Sequence, residues 1–467
     1  MLNIRNRIFF LLGKINPWKF FFICSFFFIA NQHYDYIAWK TLGNTPFNND
    51  AATYYAYLPA QFIHHDLSFH FPNNYKLITA PNGNLVPGYT LGVALMEAPF
   101  FFIGHAVALL FHYQADGYSA PYIWSVYFGT LLYVFLGLWF LYRMLILMFR
   151  PVIAVGALFG VFYASNLFFY SVCQGQMSHA YSFLWFSIFM YAIFSLYLRR
   201  SARMIYLAAL SAGFIALIRP PDVLVLVIPL LAGFPGVQGW KDWWIFLYKK
   251  KMAVLGAFVL FLLVIGTQLV FWKIRTGSFY VDVYPDQHFF FKDPKISYFL
   301  FSYRKGLFLY TPVMILAFAG FAFLFSKHRS LFWPVCLYTG VSIYVLSSWW
   351  DWSYSGSFGA RAMIENYAVL IIPLAAFLEG FVACFKATWK KIVAYSLTAI
   401  LLYAMAWLNL SMSVKYKDAI IHWSGMTKEA YWYMLKKEHF DENDRLIIQK
   451  IIREQDPKKQ MQGFRDE

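Results

Sequence analysis

The sequence predicts an all-α, polytopic membrane protein with about eleven transmembrane helices. Only 13% of its 467 residues are charged and 60% are hydrophobic, whereas soluble domains carry about 25% charged residues. Apolar runs of roughly 17–25 residues recur along the chain, which is the length that crosses a bilayer as a helix. The first run lacks a small-residue cleavage site, so we expect a retained helix rather than a removed signal peptide.

Basic clusters between the apolar runs predict the topology. Lysine and arginine concentrate in cytoplasmic loops, which explains the net charge of +16 better than nucleic-acid binding does. The clusters are "RNR" with Lys14 and Lys19, Arg143 with Arg150, "RRSAR" (199–203), "KKK" (249–251), "KHR" (327–329) and "KATWKK" (386–391). If all are cytoplasmic, the predicted spans are 18–38, 122–142, 151–171, 179–198, 204–218, 223–238, 252–273, 308–325, 331–347, 366–385 and 392–411. The N-terminus is then inside and the C-terminus outside.

Residues 86–112 are apolar enough to cross the membrane but do not fit this topology. Counting them as a crossing would place the basic residues from Arg143 to Arg203 outside, against the charge rule. We therefore predict juxtamembrane or re-entrant helices, with Pro87 and Pro99 helping to break the segment. The alternative is one ordinary crossing helix and an exception to the charge rule.

The predicted topology divides the chain into a transmembrane domain and a short tail. The domain covers 1–411, and its first external loop, with the juxtamembrane helices, covers about 39–121. The extracytoplasmic tail covers 412–467. The inner loops are short and basic, so polar chemistry is concentrated on the outer face. A transporter more often places such groups near the membrane midplane, on interrupted helices.

Asp50 is the first candidate for chemistry. It follows the first apolar run and begins a helical pattern in which Ala51, Tyr54, Tyr55 and Leu58 recur at three- and four-residue spacing. One interpretation is a helix N-cap. The other is a carboxylate at the membrane surface that activates a hydroxyl or amine nucleophile. The spacing alone does not separate the two.

His64, His65 and Asp66 have the composition of a metal cluster but not its geometry. Adjacent histidines on a helix point in different directions, so they rarely chelate one ion. The cysteines show no metal or disulfide spacing. We expect an interfacial polar turn here, and the sequence does not support a divalent metal.

The stretch "SSWWDWSYSGSFGARAMIENY" (347–367) is unusually rich in tryptophan, glycine and charge. A charge such as Asp351 or Arg361 costs about 2.5–3.5 kcal/mol at the bilayer centre. Asp351, Arg361 and Glu365 should therefore lie at the outer interface or in a polar cavity. The tryptophans suit an interfacial belt. Arg361, beside flexible Gly359, is well placed to bind a phosphate through two parallel hydrogen bonds. The alternative is a structural ion pair of Arg361 with Asp351 or Glu365.

Other outer loops direct polar residues to the same face. "IRPPD" (218–222) places Arg219 and Asp222 at a helix boundary, because its prolines end one helix and can begin the next. "QGQMSHAYS" adds Gln174, Gln176 and His179, and "SYRKGLFLYTP" adds Arg304 and Lys305. Each is an ordinary loop residue taken alone. Together with an upstream carboxylate they indicate a site for an anionic, membrane-held substrate.

These stretches resemble the polytopic, lipid-dependent glycosyltransferases of the GT-C superfamily, the class that includes protein O-mannosyltransferases and aminoarabinose transferases. "NDAATYYAYLPAQFIHHDLSF" resembles the acidic motif and helix that open the first external loop of that family, and "VPGYTLGVALMEAPFFFIGH" resembles its juxtamembrane segment. "SHAYSFLWF", "GFIALIRPPD", "RKGLFLYTP" and "WWDWSYSGSFGARAMIENY" resemble stretches of bacterial members. The likeness covers residues 50–370 and implies a GT-C-like helix bundle.

The resemblance implies an inverting transfer of a hexosyl or pentosyl group, with Asp50 as general base. The donor would be a polyprenyl-phosphate sugar, the acceptor a lipid, glycan or protein, and the place the outer face of the bacterial cytoplasmic membrane. The chain departs from the family at Ala51, where many members have a second acid, and at Val86, where many have a lysine. The expected donor-phosphate contacts are Lys76, Arg219, Arg304, Lys305 and Arg361. The expected sugar or acceptor contacts are Tyr54, His179, Asp222, Trp350, Asp351 and Glu365.

Two other classes stay open at this point. A transporter or flippase of lipid-linked saccharides would carry functional charges within its helices, and the sequence has few there. A polymerase or ligase of surface polysaccharide would use a similar lipid donor, but usually depends on a large outer loop late in the chain. The chain has no P-loop or dinucleotide fingerprint. No nucleotide motif is required, because a glycosyl phosphate already stores the energy of transfer, and a divalent metal stays an alternative that the sequence does not support.

Overall fold

The computed structural model describes residues 50–71, 75–234, 236–285 and 287–453, together with Lys19, Phe21, Ser25 and Ile29. Apart from these four residues, the predicted first span (18–38) lies outside the described part of the chain.

The described chain is almost entirely helical. In chain order its α-helices are α1 (Asp50–Tyr55), α2 (Tyr57–Phe62), α3 (Gly92–Leu110), α4 (Ala120–Leu145), α5 (Pro151–Tyr163), α6 (Leu167–Val172), α7 (Ser178–Arg199), α8 (Ala202–Ile218), α9 (Val227–Leu230), α10 (Val237–Lys249), α11 (Lys251–Thr276), α12 (Ile296–Phe301), α13 (Leu307–Tyr310), α14 (Val313–Lys327), α15 (Arg329–Ser347), α16 (Tyr367–Ala383), α17 (Thr388–Lys417), α18 (Lys428–Leu435) and α19 (Glu442–Arg453). Two 3-10 helices cover Pro220–Leu226 and Arg361–Met363, and the strands are β1 (Leu77–Thr79) and β2 (Leu85–Pro87).

Six of the described helices are long and apolar enough to cross a membrane: α3, α4, α7, α11, α15 and α17. Shorter apolar helices, including α5, α8, α14 and α16, lie between them. The described part therefore has the helix lengths and composition of a multi-pass membrane protein. The predicted spans from residue 122 onward fall on helices with a single exception, although 151–171 is divided between α5 and α6 and 308–325 between α13 and α14.

The exception is the predicted span 223–238, which is not a spanning α-helix. The chain instead forms a 3-10 helix and the four-residue helix α9. Pro229 cannot donate a backbone hydrogen bond, and Gly233 has a φ of +88° that ends regular helix. The segment still runs along α8. Asp222 lies beside the end of α8, and Ala232 packs near the beginning of the same helix.

Helix α3 occupies most of the segment 86–112. It is continuous through Pro99, so the predicted break there is wrong. Gly92 abuts the end of α8, where an added Cβ would lie 2.9 Å from Ile218 Cγ1. Gly104 abuts the beginning of α4, where a Cβ would lie 2.7 Å from the Cα of Tyr122. These contacts place the beginning of α3 at one end of the bundle. The Tyr133 hydroxyl donates to the Met96 carbonyl at 3.0 Å, so α3 packs along the first half of α4, and its length would permit a crossing.

The core sits around α7 and α16. In the most apolar stretch of α7, 78% of the residues are buried, against 17% for α11 and 22% for α17. Helix α7 therefore lies at the centre of the bundle, and α11 and α17 lie at its periphery with apolar side chains facing outward. Exposed apolar helix surface of this kind is suited to lipid.

A short hairpin and the tail complete the end of the bundle where α3 begins. Strands β1 and β2 pair antiparallel, and the Gly88 N–H donates to the Lys76 carbonyl at 2.8 Å, which brings Lys76 near Tyr89. The segment after α17 folds back over the loops of the same end. There the Gly356 N–H donates to the Trp423 carbonyl at 3.0 Å. The tail is thus packed onto the bundle.

Candidate active site

Asp50 begins α1, and two groups contact its carboxylate. The Tyr89 hydroxyl donates to Oδ1 at 2.6 Å, and Nη2 of Arg361 lies 3.5 Å from Oδ2. The Asp50 side chain is 28% exposed and that of Arg361 is 15% exposed. The carboxylate is therefore fixed in orientation by a neutral donor and a cation while part of it stays accessible.

Arg361 is positioned by a tight turn. It begins a 3-10 helix two residues after Gly359, whose φ is +61°. A Cβ at Gly359 would lie 2.9 Å from the Cβ of Tyr310, so both the backbone angle and the close packing favour glycine. The alternative ion pairs considered from the sequence were with Asp351 or Glu365. The structure pairs Arg361 with Asp50 instead.

A second charged cluster is buried beside this pair. Arg219 Nε lies 3.1 Å from Glu365 Oε1 and 3.3 Å from Asp222 Oδ2. His179 Nδ1 lies 3.0 Å from Glu365 Oε2. Burial raises the pKa of Glu365, and the Arg219 guanidinium opposes that rise. Asp222, His179 and Glu365 are buried in contact with Arg219 or with one another, and their predicted sugar or acceptor contacts remain predictions.

Tyr54 connects the two clusters. Its ring stacks on Tyr89 with centroids 4.4 Å apart, and its hydroxyl donates to Ser178 Oγ at 3.3 Å, next to His179 in the chain. Burial, and then the charge of Asp50, raise the pKa of Tyr54 to about 12. Tyr54 is therefore a neutral donor at physiological pH.

Lys76 lies on the exposed side of the site. Its Nζ is 5.4 Å from the ring centroid of Tyr89 and 5.2 Å from that of Tyr284. A lysine ammonium at these distances from two aromatic rings is attracted by their faces. Lys76 is thus an accessible cation close to Asp50, as the predicted phosphate contact requires.

Arg304 and Lys305 are buried and bind backbone groups. Arg304 Nε donates to the Ser424 carbonyl at 2.8 Å, and Lys305 Nζ donates to the carbonyls of Ser357 and, at 3.5 Å, His422. Lys305 ties the tail to the loop that precedes Arg361, and Arg304 holds the tail while its guanidinium lies 6.0 Å from the ring centroid of Trp352 in that loop. Their donors are thus directed to backbone carbonyls, unlike the phosphate contacts that the sequence predicts.

Asp351 and Trp350 make hydrogen bonds that stabilise the loop 347–367. Asp351 accepts hydrogen bonds from the Ser353 hydroxyl at 2.6 Å and the Ser355 N–H at 2.7 Å. The backbone N–H of Trp350 donates to the His288 carbonyl at 3.1 Å. These contacts hold the loop 347–367 in shape, and the predicted sugar contacts of both residues remain predictions.

The segment with His64, His65 and Asp66 forms a polar turn. The Ser68 N–H donates to Asp66 at 2.7 Å, and the His64 ring stacks on Phe71 at 3.9 Å between centroids. Within the described part of the chain, no group of three or more His, Cys, Asp or Glu residues is arranged to hold a metal ion.

Sequence reasoning missed Tyr89 and Tyr284. Tyr89 is one of 34 tyrosines in the chain and lies in a loop between β2 and α3, where spacing carries no signal for its partner. Tyr284 comes from the loop after α11, and its ring centroid lies 6.4 Å from that of Tyr89. Both are recognisable only once the loops are assembled.

The chain matches no protein-family model and no curated protein. Among solved structures it is similar to the archaeal oligosaccharyltransferase AglB from Archaeoglobus fulgidus in complex with an inhibitory peptide and a dolichol-phosphate. The TM-score is 0.49 at 14% identity, over 83% of this chain and 53% of that one. The apo oligosaccharyltransferase of the same organism gives a TM-score of 0.44 at 13% identity, over 83% and 53% of the two chains. Its complex with Zn and sulfate gives 0.42 at 15% identity, over 84% and 52%. The chain spans about half the length of these structures.

Proposed function

We propose that this chain is a GT-C-type membrane glycosyltransferase. It transfers a hexosyl or pentosyl group from a polyprenyl-phosphate donor to a lipid, glycan or protein acceptor at the outer face of the bacterial cytoplasmic membrane. The observation that carries the proposal is the contact of Asp50 with Arg361 at 3.5 Å. A partly exposed carboxylate and a planar cation meet there, at one end of a bundle of apolar helices.

Asp50 is the general base. The acceptor hydroxyl gives its proton to the Asp50 carboxylate as its oxygen attacks the anomeric carbon of the donor sugar. The bond between that carbon and the phosphate oxygen breaks, and polyprenyl phosphate leaves with the electron pair. Attack from the face opposite the phosphate inverts the anomeric centre. A positioned general base contributes about 10²–10⁴-fold to such a step.

Arg361 binds the leaving phosphate. Its planar guanidinium matches phosphate oxygens two at a time, and its contact to Asp50 is made through Nη2. Arg219, held by Glu365 and Asp222, and the accessible Lys76 are further cations near this pair. Cations beside the leaving group stabilise the charge that develops as the glycosidic bond breaks.

The placement of the charges favours transfer over transport. Asp50, Arg361, Arg219, Glu365 and Lys76 all come from loops or helix boundaries at one end of the bundle. A transporter more often binds its substrate near the membrane midplane. A polymerase or ligase of lipid-linked saccharides would share the chemistry of this site and differ in its acceptor.

The test is to follow the lipid-linked sugar that depends on this protein. We expect a polyprenyl-phosphate sugar to accumulate in cells that lack it, and mass spectrometry of the lipid extract identifies that sugar. Purified protein should consume the accumulated lipid and release polyprenyl phosphate when acceptor is present. A deletion strain with unchanged lipid-linked sugars, or a lipid that is moved across vesicles without being cleaved, would refute the proposal.

A further inference from the structure

A strip of aromatic side chains leads away from Asp50. Its members, in order, are Tyr89, Tyr284, Trp349, Phe289, Phe291 and Tyr344. Successive ring centroids are 4.7–6.4 Å apart, so each ring touches the next. The strip begins at the tyrosine that donates to Asp50 and ends on helix α15.

The strip is accessible along its whole length. Tyr89, Tyr284, Trp349 and Phe289 are partly exposed, and Phe291 and Tyr344 are 48% and 38% exposed. Tyr344 shares the exposed face of α15 with Leu337, one of the faces that point out of the bundle. The strip therefore connects the outward face of a candidate membrane span with the Asp50 site.

Backbone hydrogen bonds hold the outer part of the strip rigid. The Phe290 N–H donates to the Ser348 carbonyl at 2.6 Å, and the Lys295 N–H donates to the Ser347 carbonyl at 2.9 Å. The Tyr344 hydroxyl donates to the Phe291 carbonyl at 2.7 Å. The loop after α11 is thus fixed to the end of α15, and the aromatic surface exists before any ligand binds.

The strip has an apolar end and a cationic end, as the binding site of a lipid with an anionic head group requires. Its outer end is apolar and faces away from the bundle, while its inner end meets Lys76, which lies over both Tyr89 and Tyr284, and Arg361 beyond Asp50. A sugar ring would cover one or two of these rings. A long unsaturated chain that ends in a phosphate would cover the strip and place its anion at the cations.

We propose that this aromatic strip binds the isoprenoid chain of the lipid phosphate and guides its head group to Asp50. The inference rests on the proposed function for the identity of the lipid. When the isoprenoid chain packs against these aromatic faces, its apolar surface is removed from water and from lipid head groups. This burial is the source of the affinity for the lipid phosphate.

The first test is photolabelling of the full-length protein in nanodiscs. The probe is a long-chain polyprenyl phosphate that carries a diazirine in its chain and no sugar. We expect labelled peptides from 287–295 and 344–350, with labelling competed by unlabelled polyprenyl phosphate and much less by geranyl phosphate. Labelling confined to the peripheral helices α11 and α17 would overturn the inference.

The second test compares two alanine variants of neighbouring loop residues. Phe289→Ala removes a central ring of the strip and should weaken polyprenyl phosphate binding about tenfold, with a much smaller effect on geranyl phosphate. Phe279→Ala is the matched control, because Phe279 is 57% exposed and packs near Lys273, away from the strip. Equal losses in the two variants, or equal losses for long and short chains in Phe289→Ala, would refute chain binding.

These readouts do not depend on sugar transfer. If the diazirine probe labels the strip but the protein cleaves no lipid-linked sugar, the proposed function is refuted and the lipid-binding site is still supported. Transfer from a lipid-linked sugar without labelling of the strip would refute the lipid site alone.

Discussion

The hydroxyl of Tyr89 lies 2.6 Å from Oδ1 of Asp50, a residue 39 positions earlier in the chain. Arg361 faces the other carboxylate oxygen. The orientation of the proposed base therefore depends on a loop residue that sequence patterns do not single out, and this dependence can be tested by removing one oxygen atom.

Tyr89→Phe keeps the ring that stacks on Tyr54 and removes the hydrogen bond to Asp50. Without this donor the Asp50 carboxylate is no longer fixed toward the acceptor, so we expect kcat to fall about tenfold or more. Because a hydrogen bond to a charged group contributes about 1.5–3 kcal/mol to stability, the melting temperature should fall as well. The measurement is the rate of transfer from the lipid-linked sugar.

Tyr133→Phe is the matched control, because the Tyr133 hydroxyl donates at 3.0 Å to the Met96 carbonyl, away from Asp50. A Tyr89→Phe enzyme as active as the Tyr133→Phe enzyme would show that Tyr89 does not position the base.

Arg361 is expected to bind the donor phosphate in addition to pairing with Asp50. Lysine keeps the charge but loses the planar fork. Arg361→Lys should therefore weaken polyprenyl phosphate binding, and Arg361→Ala should nearly abolish it. Asp50→Asn, which removes the partner charge, should leave that binding within a few-fold of wild type.

A double-mutant cycle with Asp50→Asn and Arg361→Ala, measured on thermal stability, isolates the ion pair. If Arg361→Ala binds polyprenyl phosphate as wild type does and only the stability cycle shows coupling, then Arg361 is a structural partner of Asp50 and not a phosphate ligand.

Lys305 should make stability depend on pH. Burial, then the charges of Arg304 and Arg361, lower the pKa of Lys305 from 10.5 to about 7. Between these two values the unfolded chain binds a proton that the folded chain does not, so the free energy of unfolding rises with pH. The destabilising effect of the depressed pKa is fully present below about pH 7.

The measurement is thermal unfolding of the wild type and of Lys305→Met from pH 6.5 to 9.5. Because methionine does not titrate, the melting temperature of the wild type relative to the variant should increase with pH. A difference that stays constant across this range would show that Lys305 keeps an ordinary pKa.

Much of the fold could be predicted from hydropathy, because a bilayer-crossing helix needs about 20 consecutive apolar residues. The helices α4, α7, α8, α11 and α15 fall where the apolar runs predicted them. The method failed at 223–238, since the surrounding aliphatic residues keep the run apolar and hydropathy ignores the missing N–H of Pro229. The predicted break at Pro99 rested on the charge rule and on proline chemistry, and it is wrong because tertiary contacts support the helix around that residue.

The sequence predicted which charged residues come together, but not which carboxylate pairs with which arginine. Asp50, Arg219, Glu365 and Arg361 do come together at one end of the bundle. Which carboxylate each arginine contacts depends on residues far apart in the chain, so local patterns left it open. Lys305 was assigned to the phosphate because the sequence does not show that the tail folds back over it.

The sidedness of the site follows from the charge rule and is testable in cells. In a cysteine-free background, a cysteine at Lys292, an exposed residue at the end where Asp50 lies, should react with a membrane-impermeant thiol reagent. A cysteine at Lys250, exposed in a basic cluster, should react only after the membrane is opened. Reversed labelling would place the site in the cytoplasm.

The substitution of Asp50 tests the central claim most directly. Asp50→Asn preserves the size of the side chain and its ability to accept from Tyr89, but the amide cannot take a proton from the acceptor. We predict normal expression, binding of polyprenyl phosphate within a few-fold of wild type, and a transfer rate reduced by about 100-fold or more, as expected for the loss of a general base. A transfer rate within a few-fold of wild type would contradict the account.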